Sequence, residues 1–219
     1  LVDIVKMQGA GNDFIVVEAN GLQYDWPEMA LVMCDRHFGI GADGLLLVLP
    51  SVKADIRMRI FNPDGSEAQM CGNGARCAVR FAYLKGIAGK ECCFKTLSGI
   101  IEASVKEEKV KIKMTNPSNL RKITRLSIDE KQYEGYWINT GVPHLVIFVP
   151  EIGVVPVKQI GSKIRFHSFF QPEGTNVDFV KVREGGLEIR TYERGVEDET
   201  LSCGTGAVAS ALVSAIVKH

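Results

Sequence analysis

The chain has 219 residues, with 26 Lys+Arg matched by 26 Asp+Glu, 46% hydrophobic residues and six Cys. That length leaves one or two domains open, the composition excludes a disordered or collagen-like chain, and zero net charge argues against a nucleic-acid or membrane-surface partner, which would need surplus Lys and Arg. The longest apolar stretches (Leu45–Leu49, Leu145–Val149, Ala207–Val217) fall short of the ~18–20 residues that span a bilayer, and no signal peptide opens the chain, so a cytoplasmic protein with free thiols is expected.

In chain order, Ile4-Val5-Lys6-Met7, the glycine-rich Gln8-Gly9-Ala10-Gly11-Asn12-Asp13 and Phe14-Ile15-Val16-Val17-Glu18 read as strand, turn, strand. Asp25-Trp26-Pro27 opens a helix carrying Met29, Leu31, Val32 and Met33. Gly39-Ile40-Gly41-Ala42-Asp43-Gly44 precedes the strand Leu45–Leu49. Ile56, Met58 and Ile60 alternate with Arg57, Arg59 and Phe61 as a half-buried strand, and Asn62-Pro63-Asp64-Gly65-Ser66 is a turn. After Met70-Cys71-Gly72-Asn73-Gly74 a helix runs from Ala75 to Leu84, closed by Lys85-Gly86. Ile100–Met114 reads as a hairpin turned at Glu107-Glu108. Beyond Asn116-Pro117 come the strands Trp137–Asn139, His144–Val149, Asn176–Val182 and Leu187–Thr191, then Cys203-Gly204-Thr205-Gly206 and a helix over Ala207–Val217. Strands outnumber the three helices, so the class is α+β with mostly antiparallel sheet.

The halves echo each other. Asn12-Asp13-Phe14-Ile15-Val16-Val17 is answered by Asn176-Val177-Asp178-Phe179-Val180, and Cys71-Gly72-Asn73-Gly74-Ala75 by Cys203-Gly204-Thr205-Gly206-Ala207. The spacings differ, so a diverged duplication is expected.

Cys71 and Cys203 each precede Gly-x-Gly at a helix start. Glycine lets the backbone approach a ligand, and the first N–H groups of a helix are unpaired and carry partial positive charge. Such a place binds a carboxylate and favours a thiolate. The bland alternative, a Cys packed as a small hydrophobe beside a tight turn, is harder to sustain for two equivalent residues. Cys34, Cys77, Cys92 and Cys93 read as packing residues. No Cys-x-x-Cys or His-x-His occurs, so no metal site is expected. Gly39–Gly44 matches Gly-x-Gly-x-x-Gly by letter, but a helix precedes it and a strand follows, the reverse of a dinucleotide-binding turn. Asn12, Asn62, Asn73, Asn176 and Thr205 lie at turns or helix starts, where Asn is common for structural reasons but can also orient a zwitterion. Glu193-Arg194 is either a solvated pair or an ion pair gripping such a substrate.

The segments Met7–Phe14, Phe61–Glu67, Met70–Cys77, Thr140–His144, Gly174–Val180, Tyr192–Gly195 and Cys203–Gly206 resemble, in order and across nearly the whole chain, the diaminopimelate epimerases. The resemblance implies two similar halves (1–115 carrying Cys71, 116–219 carrying Cys203), each a barrel-like sheet around a central helix, with the site in the cleft between them. It implies interconversion of LL- and meso-diaminopimelate in lysine and peptidoglycan precursor synthesis, with no cofactor and no metal, in a cytoplasmic enzyme whose partners are a small amino-acid substrate and a second copy as a homodimer. Cys71 and Cys203 become the two acid/base residues. Asn12, Asn62, Gly72, Asn73, Asn176, Glu193, Arg194, Gly204 and Thr205 become substrate contacts, and His144 and Glu193 tune the thiols.

Three departures stand out. Gly44 and Val142 replace the Gln and Asn found in many members, which opens the question of substrate breadth. The second half stops at His219, soon after its helix, where family members usually continue with strands. A racemase of another amino acid using the same two thiols, or a silent ligand-binding module on the same fold, are the competing readings.

Overall fold

A computed structural model of the chain describes residues 2–217. The chain falls into two compact units that divide between Lys113 and Met114.

The first unit opens with the hairpin β1 (Ile4–Gly9) and β2 (Asn12–Glu18), turned at Ala10 and Gly11, both at positive φ. Helix α1 (Trp26–Cys34) starts at Asp25, whose carboxylate accepts the Glu28 N–H, with Pro27 in its first turn. Strands β3 (Gly44–Leu49), β4 (Ile56–Phe61) and β5 (Glu67–Ala68) lead to α2 (Gly72–Leu84). Strands β6 (Glu91–Thr96), β7 (Gly99–Lys106) and β8 (Lys109–Ile112) complete a sheet ordered β1-β2-β3-β4-β6-β7-β8, with β5 beside β4. Helix α2 packs on β1, β2, β3, β4, β7 and β8, strands from both ends of that order, so the sheet curls around it. Alternation along the strands separates two cores. Phe14, Val16, Leu46 and Val48 face α2, while Ile15, Val17, Leu45 and Leu47 face α1. Burial on both faces is why Leu45–Leu49 is apolar throughout rather than alternating.

The second unit contains β9 (Ser118–Ile128), β10 (Lys131–Asn139), β11 (Pro143–Phe148), α3 (Val157–Arg165), β12 (Asn176–Arg183), β13 (Gly186–Glu193), β14 (Asp198–Thr200) and α4 (Gly204–Val217). Its sheet runs β14-β13-β12-β11-β10-β9. Val157 and Ile164 of α3 pack with Leu145, Ile147, Val177 and Phe179. Ala209 and Val213 of α4 pack with Val146 and Val180 on the opposite face.

The α+β class and the predominance of antiparallel pairing hold, the parallel exceptions being β2 with β3, β4 with β6 and β11 with β12. Helix α3 is a fourth helix beyond the three expected. Val157, Ile160 and Ile164 have helical spacing and Lys163 and Arg165 close its last turn, but no side chain caps it at Pro156 and Gly161 in its middle weakens its propensity. Strand β9 is exposed over its first five residues and shows no alternation there.

The duplication is present in the topology, but in a different register from the one the sequence suggests. In each unit a hairpin feeds a helix that crosses to a parallel strand: β1-β2-α1-β3, then β10-β11-α3-β12. An antiparallel strand, a short edge strand and a Cys-headed helix follow: β4-β5-α2, then β13-β14-α4. The counterpart of β12 is therefore β3, not β2. The pair Phe14↔Gly44 corresponds to His144↔Asn176, and both Gly44 to Cys71 and Asn176 to Cys203 span 27 residues. The likeness of Asn12–Val17 to Asn176–Val182 is that of any polar turn entering a buried strand.

Candidate active site

Both motif cysteines are helix N-caps. Cys71 is extended (φ −139°, ψ 119°), its carbonyl accepts the Ala75 N–H at 2.8 Å, and its sulfur lies 3.4 Å from the Gly74 nitrogen. Cys203 stands in the same relation to α4, its carbonyl accepting the Ala207 N–H at 2.9 Å. Gly72 and Gly204 are the first residues of their helices, followed by Asn73 and Thr205. Cys71 and Cys203 keep partial exposure, as does Cys93 on β6, whereas Cys34, Cys77 and Cys92 are buried. Burial pushes the Cys34 and Cys77 thiols up to about 11, as suits packing residues.

In the first unit Asn12 and Asn73 are locked together. The Asn73 amide donates to Asn12 Oδ1 at 2.6 Å, Arg76 donates to Asn73 Oδ1, and Asn12 Nδ2 donates to Asp43 Oδ2 at 3.0 Å. Asp43 is held in turn by Arg36 at 2.6 Å, and Arg36 also grips Asp13 at 2.7 Å, with Lys6 on the other Asp13 oxygen at 2.9 Å. The Arg36 guanidinium, then Lys6, hold the Asp13 carboxyl well below the usual carboxylate range against the opposing effect of partial burial. A chain of charge-assisted bonds therefore fixes which way the Asn12 amide faces.

The second unit gathers a larger set. His144, on β11, is wholly buried, and its Nδ1 lies 2.7 Å from Asp178 Oδ2. Asp178, on β12 and equally buried, accepts the Thr191 hydroxyl at 2.7 Å on its other oxygen. His144 Nε2 lies 2.8 Å from the Thr205 hydroxyl, which is 3.4 Å from Cys203 Sγ. Asn176 Oδ1 accepts the Arg194 N–H at 2.7 Å, and its Nδ2 donates to the Pro143 carbonyl at 3.1 Å. Burial, then the Glu193 and Asp178 carboxylates, push the Cys203 thiol up to about 12. Burial also raises the Glu193 carboxyl and lowers the Arg194 guanidinium from their ordinary values.

The structure thus brings Asn12 and Asn73 together with the head of α2, and His144, Asn176 and Arg194 together with Thr205 at the head of α4. Asn62 stands apart from these networks, its amide donating to Ser66 Oγ at 3.0 Å within its own turn. Gly44 opens β3, where a Cβ would meet the Phe61 carbonyl at 3.0 Å and the Phe14 ring at 3.5 Å. Sequence reading did not assign roles to Asp43, Arg36, Asp178 or Thr191. Asp178 carried a usable signal, an acidic residue at an inward position of an otherwise apolar strand; Arg36 carried none. Among the described residues no three His, Cys, Asp or Glu side chains are placed to hold a metal ion, and no helix is long and apolar enough to cross a membrane.

Comparison with known proteins adds an independent line. The family model described as diaminopimelate epimerase matches residues 4–120 and 136–219. The diaminopimelate epimerase of Aquifex aeolicus is 47% identical, over 95% of this chain and 80% of its own length. That of Caldanaerobacter subterraneus is 48% identical, over 97% of this chain and 83% of its own. Among solved structures, a probable proline racemase from Agrobacterium radiobacter superposes with a TM-score of 0.70 at 18% identity, covering 98% of this chain and 78% of that one. A PhzF-family phenazine biosynthesis protein from Bacillus anthracis gives 0.67, also at 18%, covering 95% and 77%. At such identities the likeness is one of fold.

Proposed function

The chain belongs to the diaminopimelate epimerase family, and from that premise we propose that Cys71 and Cys203 are the thiol acid and base with which it epimerises diaminopimelate. It is an epimerase of lysine biosynthesis, and its substrate is an amino acid carrying an ammonium and a carboxylate on the carbon to be inverted. Inversion removes a proton from one face of that carbon and delivers one to the other. One group must enter the reaction as thiolate and the other as thiol, and each turnover exchanges those states.

The observation that carries this reading is that each cysteine heads a long helix of matching topology, beside Gly-x-Gly. The first N–H groups of the two helices supply donors and partial positive charge for a substrate carboxylate. That charge also stabilises negative charge developing next to the α-carbon. A turnover of ~10 per second requires a barrier near ~16 kcal/mol, far below that for removing so weakly acidic a proton in water, so such stabilisation has to be large. Asn12, Asn73 and Asn176 suit the substrate's ionic groups because an amide donates and accepts without favouring one protonation state.

The test is incorporation of solvent deuterium at the α-carbon of LL-diaminopimelate, followed by mass and chirality. The expected result is exchange concurrent with formation of the meso isomer, abolished in both Cys71→Ala and Cys203→Ala. Absence of exchange at millimolar substrate, or retention of turnover in either variant, would overturn the assignment.

A further inference from the structure

The two units put different chemistry at the same place. In the topological register found above, Phe14, Leu46 and Ile60 of the first unit correspond to His144, Asp178 and Thr191 of the second. The pairs Phe14↔Gly44 and Leu46↔Ile60 repeat as His144↔Asn176 and Asp178↔Thr191. In the first unit these side chains form part of the apolar floor under α2, where a Cβ on Gly74 would meet Leu46 and Ile60. In the second, a Cβ on Gly206 would meet Asp178 and His144. The fold does not require polar groups there, since one copy does without them. Burying a carboxylate and an imidazole costs stability that an apolar set avoids, and here it is offset only by the bonds they make to each other, to Thr191 and to Thr205.

The direction of the hydrogen bonds can be worked out. The Asn176 amide cannot be turned over, because Oδ1 accepts the Arg194 N–H and Nδ2 donates to the Pro143 carbonyl. That same Nδ2 lies 3.4 Å from His144 Nε2, but the partner that decides the tautomer is the Asp178 carboxylate on the other ring nitrogen, because a carboxylate only accepts and a neutral imidazole carries one N–H. Nε2 is therefore a bare acceptor and Nδ1 carries the proton, donated to Asp178 Oδ2. Thr205 must then give its hydroxyl proton to Nε2, which leaves its oxygen free to accept from the Cys203 thiol.

We infer that Asp178 is a positioning residue for the reaction proposed above: by fixing the tautomer of His144 it turns the Thr205 hydroxyl so that Cys203 is held as the S–H donor. Asp178 touches neither sulfur nor substrate on this account and acts through two intermediaries. When Cys203 gives its proton to carbon, the S–H bond breaks, a C–H bond forms and the carbanion's charge passes to sulfur. The Thr205 hydroxyl can then swing from Nε2 to the new thiolate. The charged and titratable groups facing Cys203 are Glu193 from β13, Asp178 from β12 and His144 from β11. Both carboxylates favour the protonated thiol, in keeping with its upward displacement.

The inference rests on Cys203 serving as acid/base, but its test does not need turnover, so its failure and that of the epimerase reading are separable. The first measurement uses the unaltered protein. Imidazole nitrogen-15 spectra should show His144 in the Nδ1–H form, assigned through the proximity of its Hε1 to the Gly206 α-proton. An Nε2–H form would overturn the proposal. The second is Asp178→Asn, nearly the same shape without the charge. Alkylation of Cys203 by iodoacetamide at pH 8, followed by peptide mass spectrometry, should accelerate about tenfold or more, one pKa unit of thiolate population, with the rate at Cys71 unchanged. Val213→Ala, which loosens the packing under α4 without touching a polar group, should not reproduce that acceleration. An unchanged Cys203 rate in folded Asp178→Asn, or an equal rise in Val213→Ala, would show that Asp178 merely supports the fold.

Discussion

The same substitution at the two equivalent glycines should have very different consequences. Gly74 and Gly206 are the third residues of α2 and α4, and neither has a positive φ, so alanine is conformationally acceptable at both. Helix propensity favours the replacement by ~1 kcal/mol at each. What differs is the neighbour. At Gly74 the new Cβ would lie 3.0 Å from Leu46 Cδ2 and 3.3 Å from Ile60 Cδ1, the ends of two flexible apolar side chains. A shift of a few tenths of an ångström relieves that, costing ~1 kcal/mol of overpacking and leaving Gly74→Ala near neutral. At Gly206 the Cβ would lie 2.4 Å from Asp178 Oδ1, 3.1 Å from its Cγ and 3.3 Å from His144 Cε1. The carboxylate would have to retreat by roughly 1 Å to reach an ordinary nonbonded contact. Asp178 is held by 2.7 Å bonds to both His144 and Thr191, so that retreat breaks at least one of them. A hydrogen bond to a buried charge is worth ~1.5–3 kcal/mol; adding ~1 kcal/mol of overpacking and subtracting the helix gain of the same size leaves Gly206→Ala destabilised by ~1.5–3 kcal/mol. Thermal unfolding should therefore show a Tm lower by roughly 5–10 °C for Gly206→Ala. Gly74→Ala should lie within a couple of degrees of the parent. Equal losses in the two variants would refute the view that the second unit keeps a rigid polar floor where the first has a compliant apolar one.

Asp43→Ala should raise KM for diaminopimelate by about tenfold with a smaller effect on kcat, because it frees the Asn12 amide without altering either thiol; a fall in kcat alone at unchanged KM would contradict the positioning role given to the Arg36–Asp43–Asn12 chain. Arg36→Ala should be destabilising by ~0.2–1 kcal/mol at pH 7, as befits a partly exposed ion pair. The Asp13 carboxyl is lowered in the folded protein, so its stabilising contribution is present above the ordinary carboxylate pKa near ~4 and fades as pH falls below it. The Tm gap between parent and Arg36→Ala should accordingly narrow on acidification from pH 5 towards pH 2, and a gap independent of pH would count against the pairing. Cys34 and Cys77, pushed up to about 11, are thiolate to only roughly 0.1% at pH 8 and should resist iodoacetamide until the chain is unfolded. Their rapid labelling in native protein would mean that these thiols do not pack as described.

The parts of the fold that could be read from sequence are those where local chemistry and burial agree. Asp25-Trp26-Pro27 announces α1 because the capping carboxylate and the proline act within one turn. Asn62–Ser66 announces a turn because its bonds close within five residues: Asn62 N–H to the Ser66 carbonyl, Gly65 N–H to the Asn62 carbonyl, and both Ser66 donors to Asp64. Helix α3 is the opposite case. It is held by Val157 and Ile164 against a sheet whose strands are distant in sequence, and its start carries no capping side chain, leaving only Lys163 and Arg165 in its last turn as an end signal. The candidate site divides in the same way. The cysteines and the glycines after them form one continuous motif each. Asp178 stands out in sequence as an acid within an apolar strand, but Thr191 becomes visible as a site residue only when β12 and β13 are paired and laid beneath α4, and Arg36 reaches the site by bonding to residues 23 positions before it and 7 after it. The register of the internal repeat is hidden for a related reason: Asn12–Val17 and Asn176–Val182 share letters, but the strands with matching pairing partners are β3 and β12.

The asymmetry between the units bears on how one reaction can run both ways. Two identical N-capping thiols would give the free enzyme two equally populated states, with either thiol holding the proton. Placing Phe14, Leu46 and Ile60 under one thiol and His144, Asp178 and Thr191 under the other removes that degeneracy. The polar floor cannot change the overall equilibrium between two stereoisomers, because a catalyst lowers the barrier equally in both directions. It can only set which protonation state the free enzyme rests in, and hence which isomer meets an enzyme already primed for it. If Asp178 sets that state, Asp178→Asn must alter the kcat values measured from the LL and the meso sides by different factors. The ratio of the two kcat/KM values must stay fixed by the equilibrium constant. A change in that ratio would be thermodynamically impossible, and equal changes in the two kcat values would place the choice of resting state in some other part of the molecule.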